Sequence, residues 1–121
     1  MYNLQEIFDR LNAEHFSLQL QTKIMWARGG QKKARCYRRL GSYTPTKDLI
    51  KVHPLLDDPE IPAYFIEYIV YHEMLHAVYP PIKGTERRYI HHQKFLEMER
   101  KFPKYQEAKV WEKSEGKKKF F

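Results

Sequence analysis

One cysteine, Cys36, is all that 121 residues contain, so the chain cannot close an internal disulfide or build a cysteine-rich zinc ribbon from its own side chains. No apolar run approaches the roughly 20 residues of a membrane-spanning helix. The opening MYNLQEIFDR also lacks the charged-then-apolar order of a secretory signal. These absences lead to the expectation of a soluble, intracellular protein with no membrane partner. No internal repeat and no linker divides the chain, and its length supplies one modest core. The expected organisation is a single domain over 1–121, with 114–121 as a mobile tail.

Acidic residues are missing from one stretch. None occurs between Glu14 and Asp48, where Lys23, Arg28, Lys32, Lys33, Arg35, Arg38, Arg39 and Lys47 supply eight positive charges. The other 14 basic residues (22 minus 8) face all 15 acidic ones, so the net charge of +7 belongs to this segment. With Trp26, Tyr37 and Tyr43 interleaved, it suits phosphate contact and base stacking. The expected DNA-contacting residues are Lys23, Arg28, Lys32, Lys33, Arg35, Arg38 and Arg39; a solvated strand face is the plainer reading of the same residues.

What is present is a folded-protein composition, 42% hydrophobic and 15% aromatic. Asn3 with Glu6 has the form of a capping box, and Leu4, Ile7, Phe8 and Leu11 recur at helical spacing, which predicts a helix from Leu4 to Glu14. From Ser17 to His53 the pattern changes to short branched and aromatic segments. Leu18 with Leu20, Ile24 with Trp26, the stretch Ala34 to Tyr43, and Leu49 to His53 each read as a strand, with Thr44 to Asp48 as a turn. The fold class is therefore expected to be α+β: a small, mainly antiparallel sheet of three to four strands, packed with a central helix and two flanking helices. His15 and His53 read as structural.

The central helix is the apolar run Ile61 to Val78, entered at Pro62 and stopped by Pro80-Pro81. It carries His72-Glu73-Met74-Leu75-His76, an H-E-x-x-H pattern. Four residues apart on a helix, His72 and His76 share a face and can offer two imidazole nitrogens to one zinc ion. Glu73, about 100° round, can take a proton from water activated at that ion. Core histidines paired with backbone or carboxylate would be the bland alternative.

The third ligand is expected from a following helix, about Glu86 to Lys101, because the extended H-E-x-x-H-x-x-G-x-x-H pattern is missing: Tyr79 and Ile82 stand in its last two fixed positions. His91 shares the face of Phe95 and Met98 and is the first choice; His92, Glu97 and Glu99 are the alternatives. Tyr79, Arg87, Arg88 and Tyr89 are near enough in sequence to stabilise an oxyanion. Beyond Pro103 the chain reads as mixed, with Tyr105, Val110 and Trp111 able to pack.

Taken with Leu11-Asn12-Ala13-Glu14-His15-Phe16, Ile24-Met25-Trp26, Leu40-Gly41-Ser42-Tyr43, Ile50-Lys51-Val52-His53-Pro54-Leu55-Leu56, and His91 followed by Phe95, the motif resembles the SprT-like metallopeptidases over about residues 4 to 102. The resemblance implies zinc on His72, His76 and His91 with Glu73 as catalytic base; the expected function is a zinc-dependent endopeptidase acting on protein or peptide substrates, and, where the basic segment binds DNA, the resemblance implies DNA-bound proteins among them. It departs from the family's pattern at His92, where a small residue is usual. The rival expectation is a basic nucleic-acid-binding module in which zinc is structural.

Overall fold

Asn3 begins the first helix as the sequence predicts: its side chain accepts a hydrogen bond from the Glu6 backbone N–H at 3.0 Å, capping α1 (Leu4–His15). The computed structural model describes residues 2–27, 40–79 and 93–116. Leu4, Ile7, Phe8 and Leu11 line the buried face of α1. Arg10 and Glu67 tie it to the central helix with an exposed 2.6 Å ion pair.

The expected strand around Leu18 and Leu20 is a turn instead. Ser17 and Leu18 have φ of 53° and 60°, in the left-handed region, and Leu18 is 69% exposed. The buried side chain of Asn12 holds this turn, donating to the Leu20 carbonyl at 2.8 Å and accepting from the Leu20 N–H at 3.2 Å. The backbone groups that a strand would pair are thus taken by a side chain eight residues away.

Three strands follow among the described residues: β1 (Lys23–Trp26), β2 (Gly41–Thr44) and β3 (Leu49–Val52). Their order is β1-β3-β2. β3 pairs in parallel with β1, Ile24 opposite Ile50, and antiparallel with β2, Tyr43 opposite Ile50. The class is α+β as expected, while the sheet is mixed rather than mainly antiparallel. β3 takes the middle because its Ile50 and Val52 are fully buried. The chain reaches it from β1 through residues 27–48, the long crossover that a parallel pair requires. The predicted stretch 34–39 lies outside the described residues. Thr44 to Asp48 forms the expected turn, with Asp48 at φ 48°. The Asp48 carboxylate accepts from the Thr22 and Tyr43 hydroxyls.

His53 is structural: its Nδ1 accepts from the Leu55 N–H at 3.1 Å, capping a short 3-10 turn over Pro54–Leu56. Nearby, Tyr2 donates from its backbone N–H to Asp57 and from its hydroxyl to the Ile61 carbonyl, closing the N-terminus over the entry to the next helix.

That helix, α2 (Ala63–Val78), is the axis of the molecule, with Phe65, Ile66, Val70, Met74 and Leu75 all at 0% exposure. Burying each such side chain contributes on the order of 1.5–3 kcal/mol. It packs on α1, on β2 and β3, and on two later helices. These are α3 (Gln93–Glu99), which ends two residues before the expected limit at Lys101 and whose expected first part, 86–92, lies outside the described residues, and α4 (Tyr105–Trp111). The segment after Pro103 is therefore helical rather than mixed. Trp111 packs on Phe65 at a tilt of 41° with ring centroids 4.6 Å apart, Tyr105 meets Tyr68 edge-on, and Ala108 is buried. A π-helical turn, Glu112–Gly116, carries helical structure into the segment expected as a tail; residues 117–121 lie outside the described residues. Among the described residues no helix is long and apolar enough to cross a membrane.

Candidate metal centre

The last two turns of α2 present two adjacent stripes of side chains. Tyr68, His72 and His76 follow one another at four-residue steps and face α3, while Ile69 and Glu73, one residue round, face the sheet. On the α3 side, the Phe95 ring lies 5.1 Å from that of His72 and 4.6 Å from that of His76. The two imidazoles are 5.0 Å apart at 80° to one another. Both are partly buried, with Phe95 covering them on the α3 side.

Glu73 is buried at 6% exposure. It lies against Gly41 at the start of β2, where a Cβ would fall 3.2 Å from both Cγ and Oε2 of Glu73 and 2.8 Å from Cγ2 of Ile69. The missing side chain at Gly41 is what lets α2 approach β2 closely enough to hold this carboxylate at the sheet. Sequence reading places Gly41 in a family-like block but gives no reason for it; the close approach supplies that reason.

One ligand-type atom from each of His72, Glu73 and His76 lies within 4.8 Å of the others, and among the described residues this is the group suited to a metal ion. The donors fit zinc. Zn–N bonds of about 2.0–2.1 Å place neighbouring tetrahedral ligands roughly 3.3 Å apart, within reach of side chains already this close. His91 and His92 lie outside the described residues, as do Arg87, Arg88 and Tyr89. Tyr79 is the C-terminal cap of α2, its N–H donating to the Leu75 carbonyl. Glu97, an alternative third ligand, is on the exposed face of α3.

Glu99, the other alternative, is buried at 8% exposure and stands behind the His72 ring. Its Oε2 is 2.5 Å from His72 Nδ1 and accepts from the Tyr68 hydroxyl at 3.0 Å. Burial by itself would raise the Glu99 carboxyl. The hydrogen bond and charge of His72, the Tyr68 hydroxyl and the Lys109 ammonium outweigh it and hold the group below the ordinary carboxylate range. Burial and the adjacent Glu99 charge push the Tyr68 hydroxyl far up, so it serves as a donor. The four-residue step from Tyr68 to His72 was the available signal for this cluster; that both meet Glu99 depends on how α3 docks.

The H-E-x-x-H pattern occurs in several classes of zinc enzyme, so likeness to known proteins decides the family. Neither the curated proteins nor the solved structures contain a match to the chain. The sequence profile of the SprT-like family matches residues 4–113, from the first helical residue into the π-helical turn. With its metal-suited histidines and glutamate inside a match of that extent, the chain belongs to the SprT-like family.

Proposed function

We propose that the protein is a zinc-dependent endopeptidase. The observation that carries this reading is the convergence of His72, Glu73 and His76 on one point at the end of α2, in a chain of the SprT-like family. His72 and His76 would hold the ion with His91, from the segment preceding α3, as third ligand. Zinc in that position would act as a Lewis acid toward the scissile carbonyl and make water a nucleophile near neutral pH. Glu73 takes the proton of the attacking water and passes it to the leaving amine, a role suited to a carboxylate held against the sheet by the close approach of Gly41. β2 is an edge strand among the described residues. Because Gly41 lies beside Glu73, an extended peptide added to that edge would run past the carboxylate. The basic segment between Glu14 and Asp48 favours DNA-bound proteins as substrates.

The deciding experiment is Glu73→Gln, with peptide hydrolysis and zinc content measured on the same preparation. Hydrolysis is expected to fall by about 10²–10⁴-fold, the usual contribution of a general base, with zinc retained. Undiminished cleavage would remove Glu73 from the chemistry. Zinc closed by four protein ligands, with no cleavage by the parent chain, would make this a structural site in a nucleic-acid-binding module.

A further inference from the structure

We infer that Glu99 is a positioning residue for the metal centre: its carboxylate holds the Nδ1 hydrogen of His72, so that Nε2 is the nitrogen presented to the ion. This deepens the zinc reading above and rests on it.

A buried carboxylate costs several kcal/mol unless it is partnered, and Glu99 is 8% exposed near the end of the short helix α3. Two hydrogen bonds join it to one stripe of α2. His72 Nδ1 and the Tyr68 hydroxyl approach the same oxygen, Oε2, at 2.5 and 3.0 Å. The Tyr68 ring is itself confined, packing against Phe65, Phe102 and Tyr105. Tyr68 therefore anchors the carboxylate as well as meeting part of its hydrogen-bonding demand.

An ionised carboxylate only accepts hydrogen bonds, so the short contact requires the hydrogen on Nδ1. In a neutral imidazole that leaves the lone pair on Nε2, the nitrogen away from Glu99. Glu99 is not part of the group suited to a metal, which consists of His72, Glu73 and His76 among the described residues. It is thus behind the ligand rather than beside it. The contact fixes the ring's rotation as well as its tautomer and makes Nε2 the better donor, effects whose loss in metalloproteins typically costs about 10–100-fold in metal affinity.

A purely structural role, clamping α3 to α2, makes a different prediction, and the fold supplies the control. Tyr71 also bridges the two helices, its hydroxyl donating to the Met98 carbonyl at 2.7 Å. The test measures zinc affinity by chelator competition on the full chain for the parent, Glu99→Gln and Tyr71→Phe, with the cobalt-substituted visible spectrum alongside. Glu99→Gln is expected to weaken zinc binding by about 10–100-fold and to shift the cobalt bands, while Tyr71→Phe leaves both unchanged. Equal losses in the two variants, or none in Glu99→Gln, would overturn the assignment. A loss beyond about 10³-fold, well above the range for a residue behind a ligand, would make Glu99 a ligand and overturn it also.

If Glu99→Gln does not fold, the zinc-loaded parent still decides. Two-bond proton–nitrogen correlations of the His72 ring are expected to place the hydrogen on Nδ1 and the metal on Nε2. The reverse assignment refutes the inference while leaving a zinc site in place. A parent chain that binds no zinc refutes the underlying reading instead.

Discussion

His72 Nδ1 and Glu99 Oε2 stand 2.5 Å apart across 27 residues of chain, joining the motif helix to the helix that follows it. The contact makes the docking of α3 directional. Phe95 supplies apolar cover for both imidazoles, but apolar packing alone tolerates rotation and sliding, whereas a buried carboxylate is satisfied in few arrangements. The position of α3 and the setting of His72 are therefore linked.

The first prediction concerns Gly41. An alanine there would bring its Cβ to 2.8 Å from Ile69 Cγ2 and 3.2 Å from Glu73 Oε2. Either β2 moves away from α2 or the Glu73 side chain turns, and overpacking of this kind costs about 1–3 kcal/mol. Gly41→Ala should lower the melting midpoint and reduce hydrolysis by at least about tenfold, since small misplacements of a catalytic group are costly, with zinc content kept because neither imidazole is displaced. Parent-like stability and turnover together would show that the close approach is dispensable.

The second concerns alkaline pH. Burial, helped by the nearby Tyr79 and Glu99 charges, pushes the Tyr71 hydroxyl up to about 12 from an ordinary 10.0. A raised folded-state value means the contribution is complete below about pH 10, where the unfolded chain also keeps its proton. It is lost as pH rises through about 12, at up to about 1.4 kcal/mol per pH unit. Tyr71→Phe lacks this slope and, losing one of the two hydrogen bonds to the Met98 carbonyl while the Lys101 N–H keeps the other, should be less stable near neutrality by about 1 kcal/mol. Urea midpoints at about pH 8, 10 and 11 check it: the gap between parent and variant should narrow above about pH 10, and a constant gap would contradict the shift.

The third concerns the basic segment. Lys32, Lys33 and Arg35 lie outside the described residues, so the expectation comes from sequence charge alone. If they meet phosphates, duplex affinity should fall linearly with salt on logarithmic axes. Replacing all three with alanine should lessen the slope by about 0.9 for each phosphate no longer neutralised. Fluorescence anisotropy with a labelled duplex measures both; salt-independent binding would remove DNA from the substrate proposal without touching the metal centre.

Much of this protein was legible as local pattern. Asn3 with Glu6 announced the start of α1, and Leu4, Ile7, Phe8 and Leu11 its buried face, because capping and helical spacing act within one or two turns. Ile50 and Val52 marked the core face of β3 by alternation. His72, Glu73 and His76 had to share one end of α2 once that segment was helical, since four residues are close to a full turn.

Local chemistry thus carried the geometry of the motif and the class of the fold, and long-range packing settled what remained, wherever a partner distant in sequence outweighs local preference. Asn12 converts the apparent strand at Leu18 and Leu20 into a turn. Burial of β3 between β1 and β2 makes the sheet mixed. Phe65 and Tyr68 give Trp111 and Tyr105 the surface that makes α4 a helix, which a seven-residue segment does not form alone. Glu99 shows the same division: the chain supplies a carboxylate, but only the docking of α3 on α2 brings it to the Nδ1 atom of His72.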